Sequence, residues 1–289
     1  MKDRQGKVKA AIREAVSVVE DFRMQMVGGC MAAFDLWEAA VLPALMYNSE
    51  TWVDITNKTV ETLDNIQNYF VRVLLQVPES TPKPSLLSET GLMSMKQRIW
   101  SRKLIFVNTL KNMPEQTLAK QIFNEQVRRG WPGLAREARE LCQHLGLPDI
   151  VKEKISKLKW ENLVKKAVLE NHEEELKKEV DSKSKLEGIK NEDMKRKEYF
   201  KQKSLEDTRM LFRIRTRMVE LKANFKNKPA FRKDGWLCEG CQREVETNCH
   251  VMSCQAYEQV RQGLDLDSDK DLVQFFKKVM KIRMEKKTV

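Results

Sequence analysis

The sequence predicts an all-α fold with one small cysteine-rich knuckle near its end, and three observations carry that prediction. Proline and glycine are scarce, 8 and 11 of 289 residues, while Leu, Glu, Lys, Met and Gln, all good helix formers, are plentiful. Apolar residues recur at helical spacing along most of the chain. Four of the six cysteines crowd between Cys238 and Cys254. This balance disfavours a β-sandwich, a collagen-like chain and a disordered polymer. The longest apolar run, Ala39 to Tyr47, is nine residues and is broken by Pro43. A bilayer span needs about 20, so a membrane protein is excluded.

Taken in order, residues 1–27 predict one helix, with Val8, Ile12, Val16, Val19, Phe22 and Met26 on one face, ended by Gly28-Gly29. Charges run through this whole segment, so no secretory signal is expected. A second apolar stretch passes through Trp37, Val41 and Leu45, with Pro43 as a kink. After Trp52 a third helix carries Val60, Leu63, Ile66, Phe70 and Leu74. The connector Val77 to Ser85 is too rich in proline to stay helical. A helix then resumes from Leu86 to Leu110, and residues 1–112 read as one compact helical domain.

Residues 113–203 read as a helical connector, interrupted at Gly130 to Leu134. Between Val151 and Asp193 it holds 11 lysines, 11 acids and no arginine, and Ile155, Leu158, Leu163 and Ala167 give only a thin apolar stripe. That pattern predicts a solvated spacer. A basic helix (204–230), the knuckle (231–260) and a C-terminal helix (261–289) with Leu272, Phe275, Phe276, Val279 and Ile282 complete the chain. No internal repeat is visible.

The strongest chemical signal is Cys238-x2-Cys241-x8-His250-x3-Cys254. A Cys-x2-Cys turn lets two sulfurs reach one ion, and His250 and Cys254 share a face of a helical turn. Tetrahedral Zn²⁺ takes this donor set, and four protein ligands leave no water to activate, so one structural zinc is expected. Reduced free cysteines are the blander alternative, and Cys249 could replace His250 as a ligand. In a chain with no export signal, disulfides are the less expected use of these thiols.

The second signal is the stretch from Lys195 to Lys233, with 14 basic residues against 4 acids, a local +10 that nearly equals the +11 of the whole chain. Ser204 and Asp207 suit a capping box. Beyond it Met210, Ile214, Met218 and Leu221 line one face. Arg209, Arg213 and Arg217 repeat every four residues on another, with Arg215, Lys222, Lys226 and Lys228 nearby. Guanidinium groups one turn apart suit successive phosphates, and Phe225 suits stacking on a base. RNA or DNA is therefore the expected partner. The bland alternatives are a solvated basic face, or a protein-interaction scaffold whose apolar C-terminal helix pairs with a partner.

No Gly-rich phosphate loop, Ser/His/Asp set or paired carboxylate centre is present. His144, His172 and His250 lie in unrelated contexts. Asp265, Asp267, Asp269 and Asp271 alternate without the glycine and glutamate of an EF-hand, and read as the cap of the last helix. No catalysis is expected.

Several blocks resemble the C-terminal part of reverse transcriptases from LINE-like (non-LTR) retrotransposons. WEAAVLPALMYNSETW (Trp37 to Trp52) is similar to the block after the palm in that family, and ETGLMSMKQRIW continues the likeness. GWPGLAREARELCQHLGLPDI and LKWENLVKKAV look like segments of the same polyproteins. The most specific match is RMLFRIRTRMVELKANFKNK leading into the knuckle. The resemblance implies that residues 1–112 are thumb-like, gripping a primer–template duplex, and that Cys238, Cys241, His250 and Cys254 match the ligands of a CCHC zinc knuckle contacting RNA or target DNA. The family's palm, with its metal-binding aspartates, lies upstream of the matching blocks, so polymerase activity would need a separate palm as partner. A truncated copy, an incomplete gene or a domesticated accessory protein all fit. Such a basic binder is expected inside the cell, in the nucleus rather than the cytoplasm.

Overall fold

The structure, a computed structural model, describes residues 29–190, 192–226, 228–232 and 235–287, so the helix expected over 1–27 lies outside the described residues. Among the described residues the fold is all-α, with a single isolated β-bridge. No described helix is long and apolar enough to cross a membrane.

Helix α1 (Gly29–Leu36) runs through a π-helical turn (Trp37–Val41) into α2 (Leu42–Leu45). Pro43 lacks an N–H to continue the ladder, and the Leu42 N–H reaches back to the Trp37 carbonyl instead. The SETW block then turns sharply, with Asn48 at φ 57°, and Arg102 Nη1 donates to the Met46 carbonyl at 2.5 Å.

Helix α3 (Asn57–Leu75) is capped by the Thr56 hydroxyl, which accepts from the Thr59 N–H at 3.2 Å, and buries Leu63, Ile66, Phe70 and Leu74 as the periodicity demands. Helix α4 (Lys83–Thr90) begins inside the connector expected to be non-helical. Pro84 stands in its first turn, where a missing N–H costs nothing. The single helix expected from Leu86 to Leu110 is split at Gly91, whose φ of +63° and approach to Arg196 tolerate no side chain: a Cβ would meet the Arg196 nitrogen at 2.3 Å. Helix α5 (Met95–Asn112) follows.

Helices α6 (Leu118–Arg129), α7 (Leu134–His144) and α8 (Lys157–Asp181) pack on the outer half of α5. Their core joins Leu104, Val107, Phe123, Ala138, Cys142, Trp160 and Val164. Helix α8 is therefore no solvated spacer. It buries every fourth residue, Trp160, Val164, Val168, His172, Leu176 and Val180, whereas Leu158 is 72% exposed. Trp160 Nε1 donates to the Leu104 carbonyl at 2.8 Å, and burial lowers the His172 pKa, favouring a neutral ring.

The last third returns to the beginning. Helices α9 (Tyr199–Gln202) and α10 (Leu205–Arg215), the knuckle with its short helix α11 (Asn248–Ser253), and α12 (Asp269–Lys287) share one core with α1 and α3. Trp37 stacks on Phe70 at 4.6 Å, Phe34 meets Phe70 and Phe200 edge-on, and Phe212, Phe275 and Phe276 are fully buried around them. Phe275 and Phe276, which the scaffold alternative would pair with a partner, are thus spent on the chain's own core. The hydrophobic clusters cut across the linear division at 112 and 203, because the N-terminal unit is completed by residues beyond 199.

Glu89 joins these halves. It is fully buried and accepts from Tyr199 Oη at 2.8 Å and from Arg215 Nε and Nη2 at 2.8 and 3.1 Å. Arg215 also pairs with Glu192. Glu89→Ala leaves the buried Tyr199 hydroxyl without its acceptor and Arg215 with Glu192 alone, so it is expected to lower stability by about 1–3 kcal/mol in urea unfolding. A drop under about 1 kcal/mol would show that Glu89 is not what holds the halves together.

Candidate metal centre

The knuckle is built by a short hairpin and a capped helical turn. Leu237 and Val245 form an antiparallel bridge, flanked by Cys238 N–H to Glu244 O at 2.7 Å and Glu246 N–H to Trp236 O at 2.9 Å. The Gln242 N–H closes the turn on the Cys238 carbonyl at 2.9 Å, with Gln242 itself at φ 54°. Helix α11 follows, its first turn fixed by the His250 N–H to Thr247 Oγ1 bond at 3.0 Å. That cap sets His250 toward the hairpin, and Cys254 ends the same turn of chain.

The Cys238, Cys241, His250 and Cys254 donor atoms all lie within 4.8 Å of one another. Cys238 Sγ stands 3.9 Å from Cys254 Sγ, and Cys241 Sγ 3.3 Å from His250 Nε2. Two sulfurs held by one tetrahedral zinc at about 2.3 Å would stand about 3.8 Å apart, so the arrangement is compatible with zinc binding. His250 Nδ1 faces Glu244 Oε2 at 3.1 Å, the orienting contact that leaves Nε2 for a metal. Cys249 is exposed and outside the cluster, so His250 and not its neighbour completes the set.

The thiols differ in readiness. Backbone N–H groups of Arg243 and then Glu244 pull Cys241 down to about 6, and burial pushes Cys238 up to about 11. The Gly240 N–H points at Cys238 Sγ at 3.3 Å. A buried thiolate at Cys238 needs a cation beside it, which a metal in this cluster would supply.

The knuckle is fastened rather than free. Cys238, Val251, Cys254 and Tyr257 belong to the large core. Gly240 passes so close to the next segment that a Cβ would meet Ala256 Cβ at 2.9 Å and the Tyr257 ring at 3.0 Å. Fully buried Glu246 accepts from the Glu239 N–H at 3.1 Å and the Lys222 N–H at 2.9 Å, and pairs with Arg283 of α12. Arg283 continues to the Glu220 carbonyl at 2.9 Å.

The basic residues expected to contact phosphates are dispersed. Helix α10 ends at Arg215, and Arg217 lies beyond it at φ 55°, so the three arginines do not form one stripe. Arg209 is buried and its Nε donates to the Leu74 carbonyl at 2.8 Å; Arg213 Nη2 donates to Gln76 O at 2.7 Å. Both serve the carbonyl end of α3, where orphan acceptors and the helix dipole favour cations. Arg215 is held by Glu89, and Lys222 is buried. Phe225 and Arg217 are half-buried, while Lys226 and Lys228 are exposed.

Sequence reasoning misses two neighbours of that surface. Lys226 Nζ lies over the Trp236 ring at 5.4 Å, and Arg243 is exposed at the knuckle tip. Lys228 Nζ lies 4.8 Å over Phe225 and 5.4 Å over Phe231. Gly240, inside the Cys-x2-Cys turn, is open to sequence inference, but nothing local marks Glu246 or Arg283.

No protein family, curated protein or solved structure matches this chain. The geometry carries its own test. Glu244→Ala should weaken zinc binding about tenfold in a chelator competition, since it removes the partner that orients His250. Unchanged affinity would contradict that role.

Proposed function

We propose that this chain is a non-catalytic nucleic-acid-binding module organised by one structural Zn²⁺, akin to the thumb and zinc knuckle downstream of the palm in LINE-like reverse transcriptases. The convergence of Cys238, Cys241, His250 and Cys254 within 4.8 Å carries the reading. Four protein donors fill a tetrahedral shell, which suits a structural ion and not a hydrolytic one.

The contact surface in this reading lies beside the knuckle, not along α10. Lys226, Lys228 and Arg243 present exposed charge, and Trp236 and Phe225 sit among them as partly exposed rings. Lysines attract a phosphate backbone while aromatic faces accept bases without strong sequence preference, so single-stranded RNA or DNA is the matching ligand. In this reading Arg209, Arg213 and Arg215 are engaged with α3 and Glu89, and Lys222 is buried, so none of the four is assigned to the strand.

Elemental analysis of the purified chain, with anisotropy of a labelled single-stranded RNA before and after chelation, tests this. One zinc per chain is expected, with binding abolished by chelation. The double variant Lys226→Gln, Lys228→Gln should weaken all sequences alike and shallow the log–log salt dependence by about 0.7 for each phosphate that is no longer neutralised. Absence of zinc, or binding indifferent to chelator and to both substitutions, would overturn the proposal.

A further inference from the structure

Helix α8 carries its charge in an order that its own stability does not explain. Its first half, 157–169, holds four lysines against one acid, and its second half, 170–181, holds six acids against two lysines. Cations early in a helix and anions late in it oppose the helix dipole. Alone, that order costs stability. Against an antiparallel copy of itself it becomes complementary, because each basic half then faces an acidic one.

The pattern is sharpest in one row. Glu161, Lys165, Leu169, Glu173 and Lys177 recur at every fourth position, beside the buried row that begins at Trp160. Lys165 and Lys177 are exposed, Glu161 and Glu173 are half-buried, and Leu169 at the centre is left 44% exposed. Outward from Leu169, the first positions are Lys165 on one side and Glu173 on the other. The second positions are Glu161 and Lys177. The members of each pair stand equally far from Leu169, about 6 Å and about 12 Å along the axis. Opposite charges at equal distances from a centre are what a two-fold contact requires, since it sets residue i against j and j against i. These charges are not spent within the helix. Glu161 with Lys165, and Glu173 with Lys177, have the spacing and order of stabilising helical pairs, yet among the described residues none of the four makes an ion pair. On the adjacent row Lys166 does meet Glu170, at 3.8 Å, and Glu175 is taken by Lys96.

We infer that α8 is a contact between two copies of this chain. The second copy lays its α8 antiparallel across the first, with Leu169 against Leu169 on the two-fold axis. Lys165 then meets Glu173 of the second copy and Glu161 meets its Lys177, each pair made twice. Rows at every fourth position interdigitate in the commonest helix–helix packing, so the row is placed to make this contact. A phosphate strand is the poorer occupant, because Glu161 and Glu173 alternate with the lysines and repel it. One pair of crossing helices is a small contact, so the association is weak and salt-sensitive. The row shares no residue with the zinc cluster or with Lys226, Lys228 and Arg243.

Sedimentation equilibrium of the nuclease-treated full chain, at about 100 μM and in about 50 mM and about 500 mM NaCl, tests this. A dimer at low salt that dissociates at high salt is expected. Lys165→Glu sets like charges against each other on both sides of the axis and should weaken association about tenfold or more, as should Glu173→Lys. The double variant Lys165→Glu, Glu173→Lys restores both pairs in the reverse sense and should recover the parent's dimer. An equimolar mixture of the two single variants should form a heterodimer. Recovery in the double variant separates a broken contact from a broken fold. A monomer at low salt would overturn the proposal, and one whose binding of labelled oligouridine falls with Lys165→Glu would assign the row to nucleic acid. A dimer indifferent to both single reversals would place the contact on another face and overturn it equally. So would single reversals that dissociate the dimer without recovery in the double variant, which deny the pairing of Lys165 with Glu173.

Discussion

The buried carboxylate of Glu246 is the constraint on which the C-terminal architecture depends. A carboxylate withdrawn from water costs several kcal/mol unless charge and hydrogen bonds replace the missing solvation. Here the replacement comes from three directions at once: the Glu239 amide in the cysteine hairpin, the Lys222 amide after the basic segment, and the Arg283 guanidinium on α12. A short knuckle has almost no core of its own, and this contact makes it a wall of a larger one. The donor cluster thereby inherits the rigidity of the helices beneath it, with Tyr257 pressed against Gly240 from the other side.

The same logic reinterprets the basic segment. A run of 14 cations against 4 acids invites an electrostatic explanation, yet much of it is structural. Arg209 and Arg213 close the carbonyl end of α3, and Arg215 neutralises Glu89. Guanidinium suits both tasks, because its planar fork makes several hydrogen bonds and stays charged when half-buried. Periodicity of four residues marks a helix face but does not say whether that face meets solvent or a neighbouring helix. Lys226 and Lys228 stay exposed beside the half-buried Trp236.

Much of the fold is legible in the chain, and the failures share a cause. The all-α class, the α3 face, the Ser204 cap and the four converging donors follow from local spacing, which tertiary packing leaves intact. The stripe of α8 misleads because its mixed charge hides a row of buried residues at every fourth position, His172 among them. The break at Gly91 depends on the backbone near Arg196, more than 100 residues away in sequence, and the Glu246–Arg283 pair spans 37. Contacts of that range leave no trace in a local pattern. The SETW block has a structural role of its own as the turn that Arg102 grips.

The central claim is that three sulfurs and one imidazole hold a zinc ion that completes the knuckle. X-ray absorption at the zinc edge of the full chain tests it most directly. The account predicts a four-coordinate shell of three sulfurs at about 2.3 Å and one nitrogen at about 2.0 Å. A shell of four sulfurs, or one containing a bound water oxygen, would contradict it.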